Sequence, residues 1–277
     1  MLGRTLVREL ADDFEVIATD LPEADITDEK CMDDVFSAHS PDVVIHCAAM
    51  TAVDRCESER ELVFRLNEKG SANVATACHR HGIRLIAIST DYVFDGDADR
   101  PYCESDVATG GRTVYGQSKF AGEEAVRRLC PDHVIARISW LYGSGGPSFV
   151  HTMMSLADGS RPELKVVDDQ RGNPTSAIAV ARALREVLKR PELRGTFHLT
   201  CEGEATWADF AEEIFRLAGK DQKVLRCTTE EFPRPAPRPK NSSLEKAALR
   251  VAGLPSMPDW KEALADFMKV EFLHKTM

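Results

Sequence analysis

The sequence predicts an α/β protein with a doubly wound parallel sheet, followed by a smaller α/β region. Through the first half of the chain, short runs rich in apolar and β-branched residues alternate with amphipathic segments rich in alanine, glutamate and arginine. The runs are apolar almost without interruption, which is typical of strands covered on both faces. Strands that alternate with helices form parallel βαβ units, so we expect helices on both sides of one sheet.

The chain opens on a helical pattern, in which Leu2, Leu6, Val7 and Leu10 recur around Gly3. The helices predicted after it cover residues 28–39, 57–81 and 118–129, and Asp28 is a candidate N-cap for the first of these. The strands predicted for this half are, in order, FEVIATD, PDVVIHCAA, IRLIAIST and HVIARISWLYG.

The pattern changes near Ser144, where loops become longer. Helices are predicted over 149–156, 178–189 and 207–218, with one strand, TFHLT, between the last two. The segment FPRPAPRPKNSSL cannot form regular structure, because each proline removes a backbone donor and restrains the residue before it. It is either an ordered loop over a site or a surface linker.

Composition narrows the possible functions. With 277 residues, 43% hydrophobic and 29% charged, the chain can bury one substantial core. Its net charge of -10 disfavours nucleic-acid binding. The sequence contains neither a membrane-spanning apolar run nor a signal-peptide pattern, so we expect a cytoplasmic protein. Eight cysteines without CxxC pairs predict free thiols rather than disulfides or a metal site.

Ligands of doubly wound sheets bind beyond the carboxyl ends of the strands, so the residues there are informative. Asp20 closes the first predicted strand and can accept hydrogen bonds from an adenosine ribose, or can be a helix cap or a solvated acid. Asp25 can likewise contact the ribose, cap a helix or remain a solvated acid. Ala48 and Ala49 follow the next strand, where small residues let a cofactor approach the backbone or simply permit tight packing.

The next strand end carries Ser89, Thr90 and Asp91, and Tyr115 and Lys119 follow in YGQSK. Residues four apart share one helix face, so Tyr115 and Lys119 are expected side by side. A nearby ammonium can stabilise a phenolate, which lets a tyrosine donate a proton at neutral pH. With a strand-end hydroxyl to hold a carbonyl oxygen, this arrangement suits hydride transfer from a nicotinamide.

Together, these residues resemble those of a known family. The extended short-chain dehydrogenase/reductases have a strand-end Ser or Thr, a YxxxK pair and a C-terminal substrate domain. More narrowly, the chain resembles the dTDP-4-dehydrorhamnose reductase family. Six motifs carry this resemblance and occur in the same order along the chain: STDYVFDG, PYCESD, VYGQSKFAGEEAV, ARISWLYG, DDQRGNPTSA and FPRPAPRPKNSSL. The resemblance implies a Rossmann-like NAD(P)-binding domain over 1–145. It also implies a mainly substrate-binding domain over 146–277, with segments returning to the sheet.

The resemblance also implies roles for individual residues. Tyr115 would protonate the 4-keto oxygen of a nucleotide sugar, Lys119 would lower the tyrosine pKa and bind the nicotinamide ribose, and Thr90 would hold the substrate oxygen. The implied substrate-binding residues are Thr90, Asp91, Trp140, Asn173, Arg234 and Arg238, the two arginines being suited to a diphosphate or, alternatively, solvated. The implied cofactor-binding residues are Gly3, Asp20, Asp25, Ile26, Ala48, Ala49, Thr51, Tyr115 and Lys119.

The implied cofactor is NADPH or NADH. Asp20 favours NADH, because a carboxylate repels a 2′-phosphate, but the family leaves the preference open. Against the family, Met1-Leu2-Gly3 matches the end of a G-x-x-G-x-x-G turn, which predicts that the first strand and two glycines are missing. We therefore expect a gap beside the strand ending at Ala18 and poor NAD(P)H binding.

Two alternatives remain open at the level of sequence. One is a non-catalytic regulator resembling the β subunit of methionine adenosyltransferase, and the intact Thr90, Tyr115 and Lys119 weigh against it. The other is a reductase or epimerase acting on a different nucleotide sugar. For the reductase, the expected partners are the nucleotide-sugar substrate and a second copy of the chain in a homodimer, with no nucleic acid and no membrane.

Overall fold

The computed structural model describes residues 1–273. Its strands, in chain order, are β1 (Val43–His46), β2 (Arg84–Thr90), β3 (His133–Ile138), β4 (Leu141–Tyr142), β5 (Glu163–Val167), β6 (Arg171–Gly172), β7 (Thr175–Ser176), β8 (Gly195–His198), β9 (Ala205–Thr206) and β10 (Lys223–Cys227). Its α-helices are α1 (Leu2–Leu10), α2 (Glu29–His39), α3 (Val53–Ser58), α4 (Arg60–Phe64), α5 (Ser71–His81), α6 (Val114–Leu129), α7 (Phe149–Leu156), α8 (Ala177–Leu188), α9 (Trp207–Leu217), α10 (Ala247–Val251) and α11 (Trp260–Met268).

The main sheet has four parallel strands in the order β1-β2-β3-β8. Ile86 on β2 lies opposite Ile45 on one side and Val134 on the other. Strand β2 is almost entirely buried, whereas β1 lies at the edge and is mostly half-buried. The predicted α/β class and parallel sheet are confirmed. Three of the predicted apolar runs contain β1, β2 and β3, and helices cover this sheet on both faces.

Smaller ladders extend the fold beyond this sheet. Strand β5 pairs with β10 and β4 with β7, both parallel, and β6 pairs with β9 antiparallel. One core cluster contains Leu6 of α1, Val180 of α8, Phe210 of α9 and Phe267 of α11. Since the two halves of the chain share this core and β8 completes the main sheet, the division at residue 145 stays a prediction.

The prediction of a strand over FEVIATD is wrong. Residues 15–20 form neither strand nor helix and pair with no other strand in the described chain. Phe14 and Val16 still pack against the core, while Ile17 is 46% exposed. A strand exists only through hydrogen bonds to a neighbour, so an apolar, β-branched run without one remains irregular.

The helix predicted over 57–81 is divided into several pieces. Glu59, with φ -119° and ψ 40°, separates α3 from α4, and a π-helical turn over Arg65–Gly70 precedes α5. Periodicity alone does not reveal these breaks, because the apolar spacing continues through them. The π-turn matters for the site, since it contains Asn67, whose side chain is fully buried.

Other helix boundaries follow local capping chemistry. The Asp28 side chain accepts hydrogen bonds from the amides of Lys30 and Cys31 and caps α2, as predicted. Helix α6 begins earlier than predicted, because the Thr113 hydroxyl accepts from the Gly116 amide and caps it. All eight cysteines are unpaired. Within residues 1–273, every helix is too short or too polar to span a membrane.

Candidate active site

The carboxyl ends of β1, β2 and β3 place the predicted site residues along one edge of the main sheet. Thr90 ends β2, Ala48 follows β1 and Trp140 follows β3. Helix α6 packs against β2 and carries Tyr115 and Lys119, both buried. The sheet order therefore brings together the strand-end hydroxyl and the tyrosine–lysine pair, because neighbouring parallel strands end on the same side.

Tyr115 lies in a closely packed environment. Its ring meets that of Tyr92 edge-on, with centroids 5.5 Å apart. Burial raises the pKa of Tyr115, while a hydrogen bond with the Thr90 side chain opposes that rise. The phenol therefore keeps its proton at neutral pH. In this structure the cost of burying a phenolate outweighs the polar contacts, and the lowering of the tyrosine pKa by Lys119 stays a prediction.

Lys119 is oriented by the backbone of β2. Its Nζ donates a hydrogen bond to the carbonyl oxygen of Ile88 at 2.7 Å. Burial lowers the pKa of Lys119 to about 8, and the nearby Glu123 and Cys47 oppose that change. At neutral pH this lysine is mostly a buried cation on the same helix face as Tyr115. It can stabilise negative charge that develops close to it.

Glu123, four residues after Lys119 on α6, forms a buried ion pair with Arg137. Arg137 on β3 donates through Nε and Nη2 to the two Glu123 carboxylate oxygens, at 2.9 and 2.7 Å. Burial favours the neutral carboxyl, but Arg137 and Ser89 outweigh it, so the Glu123 pKa is lowered. The neighbouring His198 is held neutral, because burial and then Arg137 lower its pKa to about 3. This pair fixes α6 against the sheet.

Thr90 and Asp91 form a polar pair at the end of β2. The Thr90 hydroxyl donates to Asp91 Oδ1 at 2.8 Å, and both side chains are buried. Burial raises the pKa of Asp91 to about 6, and the nearby Ser242 and Thr90 hydroxyls oppose that rise. Thr90 is thus held by Asp91, and its hydroxyl also favours the ionised form of Tyr115.

Asn67 is a site residue that the sequence reasoning missed. Its amide accepts from the Met50 backbone N–H at 2.8 Å and donates to the Met50 carbonyl at 3.1 Å. It also donates to Ser118 Oγ at 2.9 Å, and Ser118 lies between Tyr115 and Lys119 on α6. Asn67 therefore ties the segment after β1 to the helix that carries the tyrosine and lysine.

Trp140 occupies a strained position. Its φ of 44° lies in the left-handed region, which is rare for a bulky residue. The indole stacks on Trp207 with ring centroids 3.5 Å apart and an interplanar angle of 3°. Its Nε1 donates to Ser242 Oγ at 3.2 Å. Trp207 and Ser242 were missed by the sequence analysis, because each is brought to Trp140 from a distant segment.

The Trp140 ring leaves no room for a side chain at Gly172. A Cβ at Gly172 would lie 2.4 Å from Trp140 Cε2, so we expect Gly172→Ala to displace the indole and destabilise the fold by about 1–3 kcal/mol. Thermal unfolding and tryptophan fluorescence test this. Gly3→Ala is the matched control, since a Cβ there meets nothing within 4 Å and helix propensity favours alanine. Equal stability of the two variants would contradict the prediction.

The comparisons with known proteins agree with this geometry. Residues 1–272 match the family described as the RmlD substrate binding domain. The chain belongs to this family. It is 42% identical to the dTDP-4-dehydrorhamnose reductase of Streptomyces griseus, over 96% of this chain and 89% of that protein.

Two solved structures closely resemble this RmlD-family chain. A dTDP-4-dehydrorhamnose reductase ortholog from Clostridium acetobutylicum has a TM-score of 0.93 and 44% identity, covering 97% of this chain and 95% of that one. The dTDP-4-dehydrorhamnose reductase of Bacillus anthracis, solved in complex with NADP, has a TM-score of 0.93 and 39% identity, covering 96% and 94%.

In this RmlD-family chain, Arg234 and Arg238 converge on one carboxylate. Asp54, on α3, accepts from Arg234 Nη2 at 2.6 Å and forms an ion pair with Arg238 Nη2 at 2.9 Å. It also accepts from the Ala236 amide at 3.2 Å. The proline-rich segment is therefore an ordered loop, tied to the segment that follows β1. Asp54 was not among the predicted site residues, because nothing in the local sequence connects it to the loop.

Asn173 is committed to contacts within the protein. Its side chain donates to the Gly203 carbonyl at 2.6 Å and accepts from the Leu244 amide at 2.8 Å. Its own carbonyl accepts from the hydroxyls of Ser139 and Thr175. These contacts join four segments around Trp140, so Asn173 can shape the substrate side whether or not it touches a ligand.

Apart from Tyr115 and Lys119, the predicted cofactor residues fall into two groups. Ala48 and Thr51 are exposed and Ala49 is half-buried, so the segment after β1 presents small side chains at the surface. Gly3 lies within α1 with open space around it. A glycine and small residues of this kind allow a ligand to approach the backbone.

The second group lies in the loop before α2. Asp20 is exposed and accepts from the Leu21 amide at 2.9 Å. Asp25 accepts from the amide and hydroxyl of Thr27, both at 2.8 Å, and these bonds lower its pKa. Ile26 is half-buried, and its carbonyl accepts from Asn73. The Asp20 carboxylate is thus available to an external ligand, whereas Asp25 stabilises its own turn.

Proposed function

We propose that this chain reduces the 4-keto group of dTDP-4-dehydro-6-deoxy-L-mannose to give dTDP-L-rhamnose, with NADPH or NADH as reductant. The observation that carries this proposal is the placement of Thr90 at the carboxyl end of β2, against which α6 packs with Tyr115 and Lys119 buried on one helix face. The names of the family members support the same reaction and substrate.

The chemistry requires a proton donor beside the carbonyl that is reduced. Hydride addition to the 4-keto carbon places negative charge on its oxygen, and Tyr115 gives that oxygen a proton. The Thr90 hydroxyl, which donates to Asp91 in this structure, turns to donate to the same oxygen, and the Lys119 cation stabilises the phenolate that remains on Tyr115. The raised pKa of Tyr115 suits a group that must start the reaction protonated.

The residues present fit a dinucleotide at the edge of β1. Exposed Ala48 and Thr51, open space at Gly3 and the free Asp20 carboxylate would accommodate its backbone and ribose. When bound, the reduced nicotinamide supplies the hydride. Asp20 disfavours a 2′-phosphate electrostatically, yet the Bacillus anthracis relative was solved with NADP, so both cofactors are proposed.

The substrate side is formed by Trp140, Asp91 and the two loop arginines. Guanidinium groups pair with diphosphate oxygens through parallel N–H donors, so Arg234 and Arg238 are the proposed diphosphate contacts. Holding the nucleotide keeps the ketone within reach of the hydride and offsets the entropy of ordering it.

The deciding experiment is an NAD(P)H-oxidation assay with dTDP-4-dehydro-6-deoxy-L-mannose, with the product identified as dTDP-L-rhamnose by mass and NMR. Steady oxidation that depends on the sugar nucleotide supports the proposal. Absence of oxidation, together with co-purification of a catalytic partner, would favour the regulatory alternative. Comparing kcat/KM for NADPH and NADH settles the cofactor preference.

We expect kcat/KM to fall above about pH 8, about tenfold per pH unit, as Lys119 loses its proton. Cys47 does not titrate in this window, since burial raises its pKa to about 12. The effect on stability has the opposite sign. The folded pKa of Lys119 lies below the unfolded value of about 10.4, so between these two pH values the unfolded chain binds more protons and the contribution of Lys119 to stability rises. A pH–rate profile that stays flat to pH 10 would contradict the proposed role.

A further inference from the structure

The arginines of the proline-rich loop are not free cations. Arg234 donates to Asp54 Oδ2 through Nε at 3.0 Å and Nη2 at 2.6 Å, while Arg238 Nη2 forms an ion pair with Asp54 Oδ1 at 2.9 Å. Arg238 also donates through Nη1 to the Ala236 carbonyl at 2.9 Å. Each guanidinium carries five N–H donors, so N–H groups remain on both arginines after these contacts.

These contacts connect two sides of the site that are 180 residues apart in sequence. Asp54 lies three residues after Thr51, in the segment that continues from β1. Arg238 lines a cavity of about 100 Å³ that Tyr92 also lines, and the Tyr92 ring packs on Tyr115. The cluster of two arginines and one carboxylate therefore lies next to Tyr92, whose ring packs on the proposed proton donor, and has a net charge of +1.

We propose that Asp54 is a positioning residue, which orients Arg234 and Arg238 so that their remaining N–H donors bind the diphosphate of the nucleotide substrate. This inference rests on the proposed function and extends it to a residue with no direct contact to the reacting atoms. A carboxylate that holds two flexible arginines in place lowers the entropy lost when the anion binds. It also joins the proposed cofactor side to the substrate loop.

The loop itself offers a direct measurement. Pro233, Pro235, Pro237 and Pro239 have no amide hydrogen, so within 233–239 only Arg234, Ala236 and Arg238 exchange hydrogen. The Ala236 amide donates to Asp54, and its exchange rate reports whether the carboxylate still holds the loop.

The test compares Asp54→Asn with the wild-type protein. We expect Ala236 exchange to become about tenfold faster and the Kd for thymidine diphosphate, measured by calorimetry, to rise about tenfold, because charge-assisted hydrogen bonds are lost. With the keto-sugar nucleotide, KM should rise by a similar factor and kcat should change less than about twofold. Asp33→Asn is the matched control, because Asp33 also pairs with two basic side chains, Arg80 and His81, far from the loop in sequence.

The outcomes separate the inference from the function on which it rests. Unchanged Ala236 exchange, or thymidine diphosphate binding that is unchanged or tighter in Asp54→Asn, overturns the positioning role, and tighter binding would show that the carboxylate competes with the diphosphate. In that case wild-type turnover still supports the proposed reaction. A wild-type protein that neither turns over the keto sugar nor binds thymidine diphosphate overturns both.

Discussion

Tyr115→Phe is expected to lower kcat about 10³-fold, since a positioned general acid contributes about 10²–10⁴-fold. The substitution removes only the hydroxyl and leaves the ring in contact with Tyr92. Cofactor affinity, measured by NADPH fluorescence, should change less than about twofold, because the phenol acts on the substrate oxygen.

Tyr142→Phe is the matched control for this prediction. The Tyr142 hydroxyl is buried without a hydrogen-bond partner among the described residues, and its ring packs between Phe210 and Phe267 in the core. Removing that hydroxyl should leave kcat unchanged. Full activity in Tyr115→Phe would end the assignment of Tyr115 as proton donor.

The largest effect on stability is expected for Glu123→Gln. Glu123 and Arg137 are each 2% exposed and joined by two hydrogen bonds. Breaking a buried pair leaves the partner charge uncompensated, so the free energy of unfolding should fall by about 3–5 kcal/mol. The lowered pKa of Glu123 has a matching consequence. Its stabilising contribution is present above the unfolded value of about 4.3 and is lost as the pH falls through the folded pKa.

Urea denaturation of three variants tests this prediction. Glu124→Gln is the control, because Glu124 is 55% exposed and its pair with Arg127 should contribute at most about 1 kcal/mol. The double variant Glu123→Leu with Arg137→Met removes both charges and should be more stable than Glu123→Gln. If Glu123→Gln unfolds within about 1 kcal/mol of wild type, the pair is not a main support of α6.

Much of the fold follows from local patterns in the sequence. Near-continuous apolar runs predicted β1, β2 and β3, and helical periodicity predicted α1, α7 and most of α6. Where the predicted secondary structure was wrong, contacts with other segments of the chain decided the outcome. Residues 15–20 have the composition of a strand but no partner in the described chain, and the region around Glu59 keeps its helical periodicity although the helix breaks there.

The residues of the candidate site also divide into those that local sequence indicates and those that it does not. Thr90, Tyr115 and Lys119 could be singled out from sequence, because the end of an apolar strand and a spacing of four on a helix are local properties. Asp54, Asn67 and Trp207 could not, because their partners lie far away in sequence.

The sequence by itself determined the α/β class, the strand ends that carry polar residues and the helix face that carries Tyr115 and Lys119. Only the tertiary structure decided that Lys119 donates to Ile88, that burial raises the Tyr115 pKa, and that Asp54 holds two arginines of the proline-rich loop. Periodicity and capping are set by neighbours along the chain, whereas burial and ion pairing depend on which distant segments the fold brings into contact.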